Sequence, residues 1–381
     1  TQTQILAEWD PFSYKEAKWF DPGWMFGVGD GFDIVIANPP YDVLNVTEGQ
    51  RIPVKALETI RAMPTYKIAL GGKLNFFGLF IAHAFTLMTE SGVLTYIIPY
   101  AFMCDSSAKA LREFVLTEKQ LKFIEAFPER DDPNKRLFEA VKMSTCIVCI
   151  RNTKEDTLFP VRTHYSREIS LGVPTVHVKN SIIKSIDPEN LSIPLMSDTD
   201  LVIVGHLLQN APTRLGDFGK CYEGEINLTF HKKFLSSKDS LAPMIKGAAI
   251  QRYQILEEMS QGEIQYLNSA AFLKHNTSPK SKHHKFRRIV MQGITGVNET
   301  VRLKMTIIDS GIFCGNSANY ILIEDSSLQQ EYLLALLNSR LLNWFFKLFS
   351  TNSNVNGYQA DSLPIAKPGT YGTKIVAKVN E

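Results

Sequence analysis

Asn38, Pro39, Pro40 and Tyr41 are consecutive, and together they carry a specific chemistry. An exocyclic amine on a nucleobase is a poor nucleophile, because its lone pair is delocalised into the ring. The side-chain oxygen of Asn38 and the main-chain carbonyl of Pro39 can each accept one amine proton. Two such bonds hold the nitrogen nearer to tetrahedral, with its lone pair aimed at an electrophile. Consecutive prolines fix their own φ angles, and Pro39 restricts Asn38 as well. The geometry is therefore set before the amine arrives, as electrostatic catalysis requires. Tyr41 adds a flat face on which a base can stack. The plain alternative is a proline-rich turn after a core strand.

These residues need an element to place them. The run Phe32 to Ala37 is short, apolar and β-branched. It reads as a strand buried on both faces, in a parallel sheet covered by helices. Its end puts a stiff polar loop at the carboxyl edge of the sheet, where open α/β sheets bind ligands. Apolar residues from Phe76 to Met88 recur at helical spacing. Ser91-Gly92 is expected to end that helix, and Val93 to Ile98 reads as the next strand. Strand, helix and strand make a right-handed α/β unit. A capped helix to Leu116 and strands at Leu121–Phe127 and Ser144–Ile150 continue the rhythm. Residues 1–31 read as an irregular lead-in. Residues 42–75 read as an extended loop carrying Arg51, Arg61, Lys67 and Lys73, which could touch a phosphate backbone or stay a solvated surface loop. From Asn152 to Asp200 polar residues, Pro and Ser increase and the rhythm stops. A domain boundary is expected near Glu155, giving domains 1–155 and 156–381. The second holds short strands, a helix at Leu201–Gln209 and one strongly apolar helix from Tyr332 to Phe346.

With 381 residues, 44% hydrophobic and 21% charged, the chain is expected to be an ordinary soluble protein of two domains or more. No apolar run has the length of a membrane span, and no signal peptide is visible. The chain starts at Thr1, and its first strong strand already bears the motif, so a fragment of a longer protein is expected. Cys146 and Cys149 fall on opposite faces of one strand, which reads as buried core and not as a metal site. Five cysteines without a framework fit a reducing cytoplasm. Charge is uneven. Residues 1–160 hold 17 Lys/Arg against 20 Asp/Glu, and residues 161–381 hold 24 against 19. Residues 274–288 concentrate six Lys/Arg and three His with no acid. Lys282, Lys285, Arg287 and Arg288 are the expected contacts to a phosphate backbone, and a solvated loop is the bland alternative.

Gly31 to Tyr41 resembles motif IV of the amino-methyltransferases that use S-adenosylmethionine. More closely, it is similar to the adenine-N6 DNA methyltransferases of the Eco57I and TaqI type. Asn75-Phe76-Phe77 resembles their motif V, with Asn75 in place of Asp, and Ile98-Pro99 their motif VI. Leu336-Leu337-Asn338-Ser339-Arg340, with Leu363-Pro364-Ile365 downstream, resembles a TaqI-like target-recognition domain. The resemblance implies a Rossmann-like methyltransferase sheet followed by a mixed α+β recognition domain. It assigns catalysis to Asn38, Pro39, Pro40 and Tyr41, and stacking of the target base to Tyr41 and Phe138. It implies double-stranded DNA as partner, S-adenosylmethionine as cofactor, a base flipped from the duplex, and a type IIG restriction–modification setting that allows a fused or associated endonuclease. Gly27 to Gly31 precedes its strand, so the cofactor turn is expected upstream of Thr1 and the fragment alone is expected to be inactive. A non-catalytic DNA-specificity module and a protein glutamine methyltransferase are the rival readings.

Overall fold

The β-branched run at Phe32–Ala37 does form a strand, β1, and the elements after it build the sheet that holds the Asn38 loop. The computed structural model describes residues 1–10, 13, 21–45, 50–72, 74–257, 265–296, 299–325, 327–350 and 353–381. Its backbone divides into two units, Thr1–Leu201 and Val202–Glu381.

In the first unit β1 is followed by β2 (Met88–Pro99), β3 (Gln120–Phe127), β4 (Thr145–Arg151), β5 (Phe159–Thr163) and β6 (Thr175–Val178). They lie side by side in the order β1-β2-β4-β3-β5-β6. β1 and β2 are parallel, as are β3 and β5, while β4 and β6 run against their neighbours. The ends of β1, β2, β3 and β5 therefore share one edge. The helix Phe76–Leu87 crosses from β1 to β2 and buries Phe77, Leu79, Ile81 and Ala84. Each such buried side chain contributes roughly 1.5–3 kcal/mol, the small alanine less.

Several expectations are corrected. β1 is an edge strand, and its Ile34 and Ile36 are 66% and 75% exposed, so it is not buried on both faces. The helix passes directly into β2 at Met88, and Ser91-Gly92 lies inside that strand. A Cβ on Gly92 would meet the Phe32 carbonyl oxygen at 2.8 Å, so glycine here permits the close approach of β1 where the register shifts. The loop expected at 42–75 contains the helix Val54–Ala62 and a 3₁₀ turn at Pro64–Ala69. Short helices at Gln2–Glu8 and Pro22–Phe26 stand in the expected irregular lead-in.

The first unit also runs past Glu155 to Leu201. β5 and β6 extend its sheet, and the polar segment after them is tied in by Arg112. This fully buried guanidinium donates to the carbonyls of Phe102, Asp105, Asn190 and Leu191. A buried charge needs such saturation, and the segment supplies it.

The second unit has a four-stranded antiparallel sheet, β7 (Gly219–Tyr222), β8 (Arg288–Gln292), β9 (Met305–Ile308) and β10 (Ala318–Ile323), in the order β7-β10-β8-β9. One core packs Ile245, Val290, Ile308 and Tyr320, and another Ile226, Leu267, Phe272 and Phe313. The apolar stretch expected as one helix is two, Gln330–Leu337 and Arg340–Lys347. Ser339 caps the second, accepting from the Leu342 N–H at 3.1 Å, and the buried Asn338 amide bonds both the N–H and the carbonyl of Met305.

Asp361 yields a pH prediction. It accepts the Cys221 N–H at 2.8 Å. Burial pushes its carboxyl up to about 6, against the pull of that N–H and of Lys220. A raised carboxyl favours the protonated form in the fold, so stability falls as pH rises through the folded value. Asp361→Asn keeps an acceptor and removes the charge. It is expected to stabilise by about 1 kcal/mol at pH 8, after screening of this partly exposed group, and by nothing at pH 4. Thermal melts at the two pH values check this. An equal gain at both would show that the charge is irrelevant.

Candidate functional site

The Asn38 loop leaves the carboxyl end of β1, beside the end of β2. Pro39 is buried, whereas Asn38 and Pro40 are exposed. The buried proline anchors the turn, and the exposed Asn38 amide has no hydrogen-bond partner among the described residues. Its acceptor oxygen is open to an incoming amine. The Tyr41 hydroxyl donates to the Ile97 carbonyl of β2 at 3.1 Å. Burial, with Cys146 adding to it, pushes this phenol up to about 12, so it stays a neutral donor. That bond fixes the ring plane. Farther along, the Leu44 N–H bonds the Leu74 carbonyl and the Phe76 N–H the Asp42 carbonyl, so the chain after Tyr41 pairs with the start of the crossover helix. Asn75 stands at the N-terminus of that helix, bridged to Val43.

Phe138 arrives from the loop joining β3 to β4. Its ring centroid lies 6.3 Å from that of Tyr41, with the planes tilted by 60°. The loop is ordered from within. The Glu129 carboxylate accepts the N–H groups of Arg130, Asp131 and Asp132. The Arg136 guanidinium donates to the carbonyls of Glu139 and Arg130. Ser144 closes the neck by donating to the Pro128 carbonyl at 2.7 Å. The structure thus brings Tyr41 and Phe138 together from sequence positions far apart, next to the Asn38 turn.

The glycines near this strand shape the backbone. Gly27 ends the helix Pro22–Phe26 at φ 71°, and a Cβ on Gly31 would meet the Met88 backbone at 2.8 Å. Both serve backbone turns, and neither opens a helix after a strand. All five cysteines are buried and free, and among the described residues no cluster of three His, Cys, Asp or Glu is placed to hold a metal ion.

In the second unit the basic run folds as a 3₁₀ helix, Pro279–Lys285. Buried Ser281 donates to the carbonyls of Asn276 and Ser278. His283 bonds the Tyr320 hydroxyl at 2.9 Å, and His284 stacks on Phe313 at 4.2 Å. Lys282 and Lys285 remain on the exposed side. Arg287 is half exposed but bound to Glu331 at 2.7 Å. Arg288 is the correction. It is fully buried, paired with the fully buried Glu225, donates to the Ile312 carbonyl and lies 4.3 Å over the Tyr320 ring. It is the first residue of β8, a strand buried on both faces over its first four residues, and so lies in the core, away from any phosphate. A second short basic run, His231-Lys232-Lys233, escaped the sequence reading because three residues do not stand out in a window of ordinary charge.

Comparison with known proteins agrees with this layout. Residues 3–132 match the family model of the Eco57I restriction-modification methylase, and residues 242–365 that of the TaqI-like C-terminal specificity domain. The type II methyltransferase M.TthHB8I of Thermus thermophilus is 30% identical over 124 residues, 29% of this chain and 28% of that protein. The putative type II restriction enzyme and methyltransferase RM.MjaORFECS2P of Methanocaldococcus jannaschii is 25% identical over 350 residues, 88% of this chain and 26% of its own. The chain therefore spans little more than a quarter of these two relatives. The structure of the type IIL restriction-modification enzyme MmeI in complex with DNA has the same fold, with a TM-score of 0.56 at 10% identity over 91% of this chain and 48% of that one. Among the described residues no helix is long and apolar enough to cross a membrane. The chain thus carries a segment similar to the Eco57I restriction-modification methylase, followed by one similar to the TaqI-like C-terminal specificity domain.

Proposed function

We propose that this chain is the amine-orienting and target-recognising part of an S-adenosylmethionine-dependent DNA adenine-N6 methyltransferase. The observation that carries the reading is the exposed Asn38 amide on a turn anchored by buried Pro39, with the Tyr41 and Phe138 rings beside it. An adenine swung out of the duplex lays its face on Tyr41. Its N6 amine then donates to the Asn38 side-chain oxygen and to the Pro39 carbonyl. The nitrogen lone pair is drawn out of the ring and turned toward the electrophile. The tilt between Tyr41 and Phe138 leaves no flat slot, so Phe138 moves aside to take the second face of the base while Tyr41 stays held by Ile97. After transfer the nitrogen carries an extra proton, which leaves to the Pro39 carbonyl or to water. The cofactor supplies the methyl carbon. The described residues account for the amine side alone, and no step is assigned to groups that would hold the cofactor.

Duplex binding falls to the second unit, with Lys282 and Lys285 on phosphates. Replacing both by glutamine is expected to weaken every duplex by a similar factor and to lower the salt slope of binding by about two. Fluorescence titration against two unrelated duplexes at several salt concentrations checks this. An unchanged slope would return both lysines to bulk solvent.

A further inference from the structure

Phe230 is 80% exposed, at the tip of a loop outside both segments that match known families. An aromatic ring in water is costly to keep, and this one is held there by construction. The Asn227 side-chain oxygen accepts the N–H groups of Thr229 and Phe230, each at 3.0 Å. The Asn227 N–H donates to His231 Nδ1 at 3.1 Å, and the His231 N–H returns a bond to the Asn227 carbonyl at 2.9 Å. Four bonds close five residues and point the ring outward.

The loop is also tied to the basic run. The His231 ring meets buried Phe272 edge-on at 5.1 Å, Phe272 meets Phe313 at 6.1 Å, and His284 of the basic run stacks on Phe313. Burial, then His275, Lys233 and Lys280, hold His231 below the usual histidine range, so cations of both segments converge on this ring. Lys232 and Lys233, next in the chain, are exposed, as is Lys274. The loop therefore displays an apolar ring next to two exposed lysines. The lysines call for an anionic partner, and the DNA-binding reading of this unit supplies one. Duplex DNA satisfies both, with phosphates for the cations and, where the ring wedges in and unstacks a base step, a base face for the ring.

We propose that Phe230 packs against a base of duplex DNA while Lys232 and Lys233 hold the flanking phosphates. The proposal rests on the DNA-binding reading above and adds to it a base contact. The test is titration of the chain with a mixed-sequence duplex and with a duplex selected from a random pool. Phe230→Ala is expected to weaken binding of the selected duplex roughly tenfold to a hundredfold with an unchanged salt slope, because no charge is lost. Phe230→Tyr is expected to restore it. Lys232→Gln and Lys233→Gln should each lower the slope by about one. Undiminished binding by Phe230→Ala, or a loss that tyrosine does not restore, overturns the base contact and leaves the DNA reading intact. A change in self-association with DNA binding untouched overturns it in favour of a second copy of the chain. Failure of the wild-type chain to bind any duplex removes the DNA reading and the proposal with it.

Discussion

Asn38→Ala is expected to cut methyl transfer by the intact enzyme on the order of a hundredfold or more while leaving duplex binding nearly unchanged. Removing one preorganised hydrogen-bonding group from an electrostatic site costs about 2.7–4 kcal/mol of transition-state stabilisation. On the proposed mechanism the loss falls on the acceptor that would localise the amine lone pair, while the Pro39 carbonyl would still hold the other proton. Asn38 is exposed and makes no structural hydrogen bond among the described residues, so the substitution leaves the fold alone. Transfer of labelled methyl groups, measured beside duplex affinity, separates chemistry from binding. A variant within a few-fold of the wild-type rate would remove Asn38 from the mechanism. An equal loss of rate and affinity would make it a DNA contact.

The Asn38 turn was legible because it is local: four residue types and a β-branched run define it without help from the rest of the chain. Phe138 was legible only through resemblance, since nothing in its own neighbourhood says that its loop meets Tyr41. What failed was set at long range. Ile34 and Ile36 look like core in sequence, and only the sheet order shows that their strand is an edge. The boundary near Glu155 followed a change in composition. Yet the polar stretch behind it is claimed by Arg112, whose bonds to Asn190 and Leu191 span nearly eighty residues. The break at Asn338-Ser339 did carry a local capping signal, which the apolar periodicity on both sides outweighed. In the basic run, charge alone could not rank the cations. Lys282 and Lys285 stay on a 3₁₀ turn, whereas Arg288 opens a strand that is buried on both faces over its first four residues.

Arg288 therefore leads to a second large effect, on stability and not on DNA. Arg288→Ala leaves Glu225 buried with only the Cys314 N–H, 2.9 Å away, to satisfy it. It also strips the Ile312 carbonyl of its guanidinium donor and the Tyr320 ring of its overlying cation. Breaking a buried pair by removing one partner costs roughly 3–5 kcal/mol, because the remaining charge has lost its counter-ion. For a unit of this size the melting temperature is expected to fall on the order of ten degrees. Glu225→Gln in the same chain removes the orphaned charge and should recover part of the loss, since an apolar or neutral replacement of both partners is far cheaper than half a pair. Lys282→Ala, on the exposed side of the same run, should leave the melt unchanged. Thermal and urea unfolding of the two single variants and the double variant decide the matter. If Arg288→Ala melts like wild type and instead loses affinity for all duplexes equally, the arginine turns outward in solution and belongs with Lys282 and Lys285 on the phosphates.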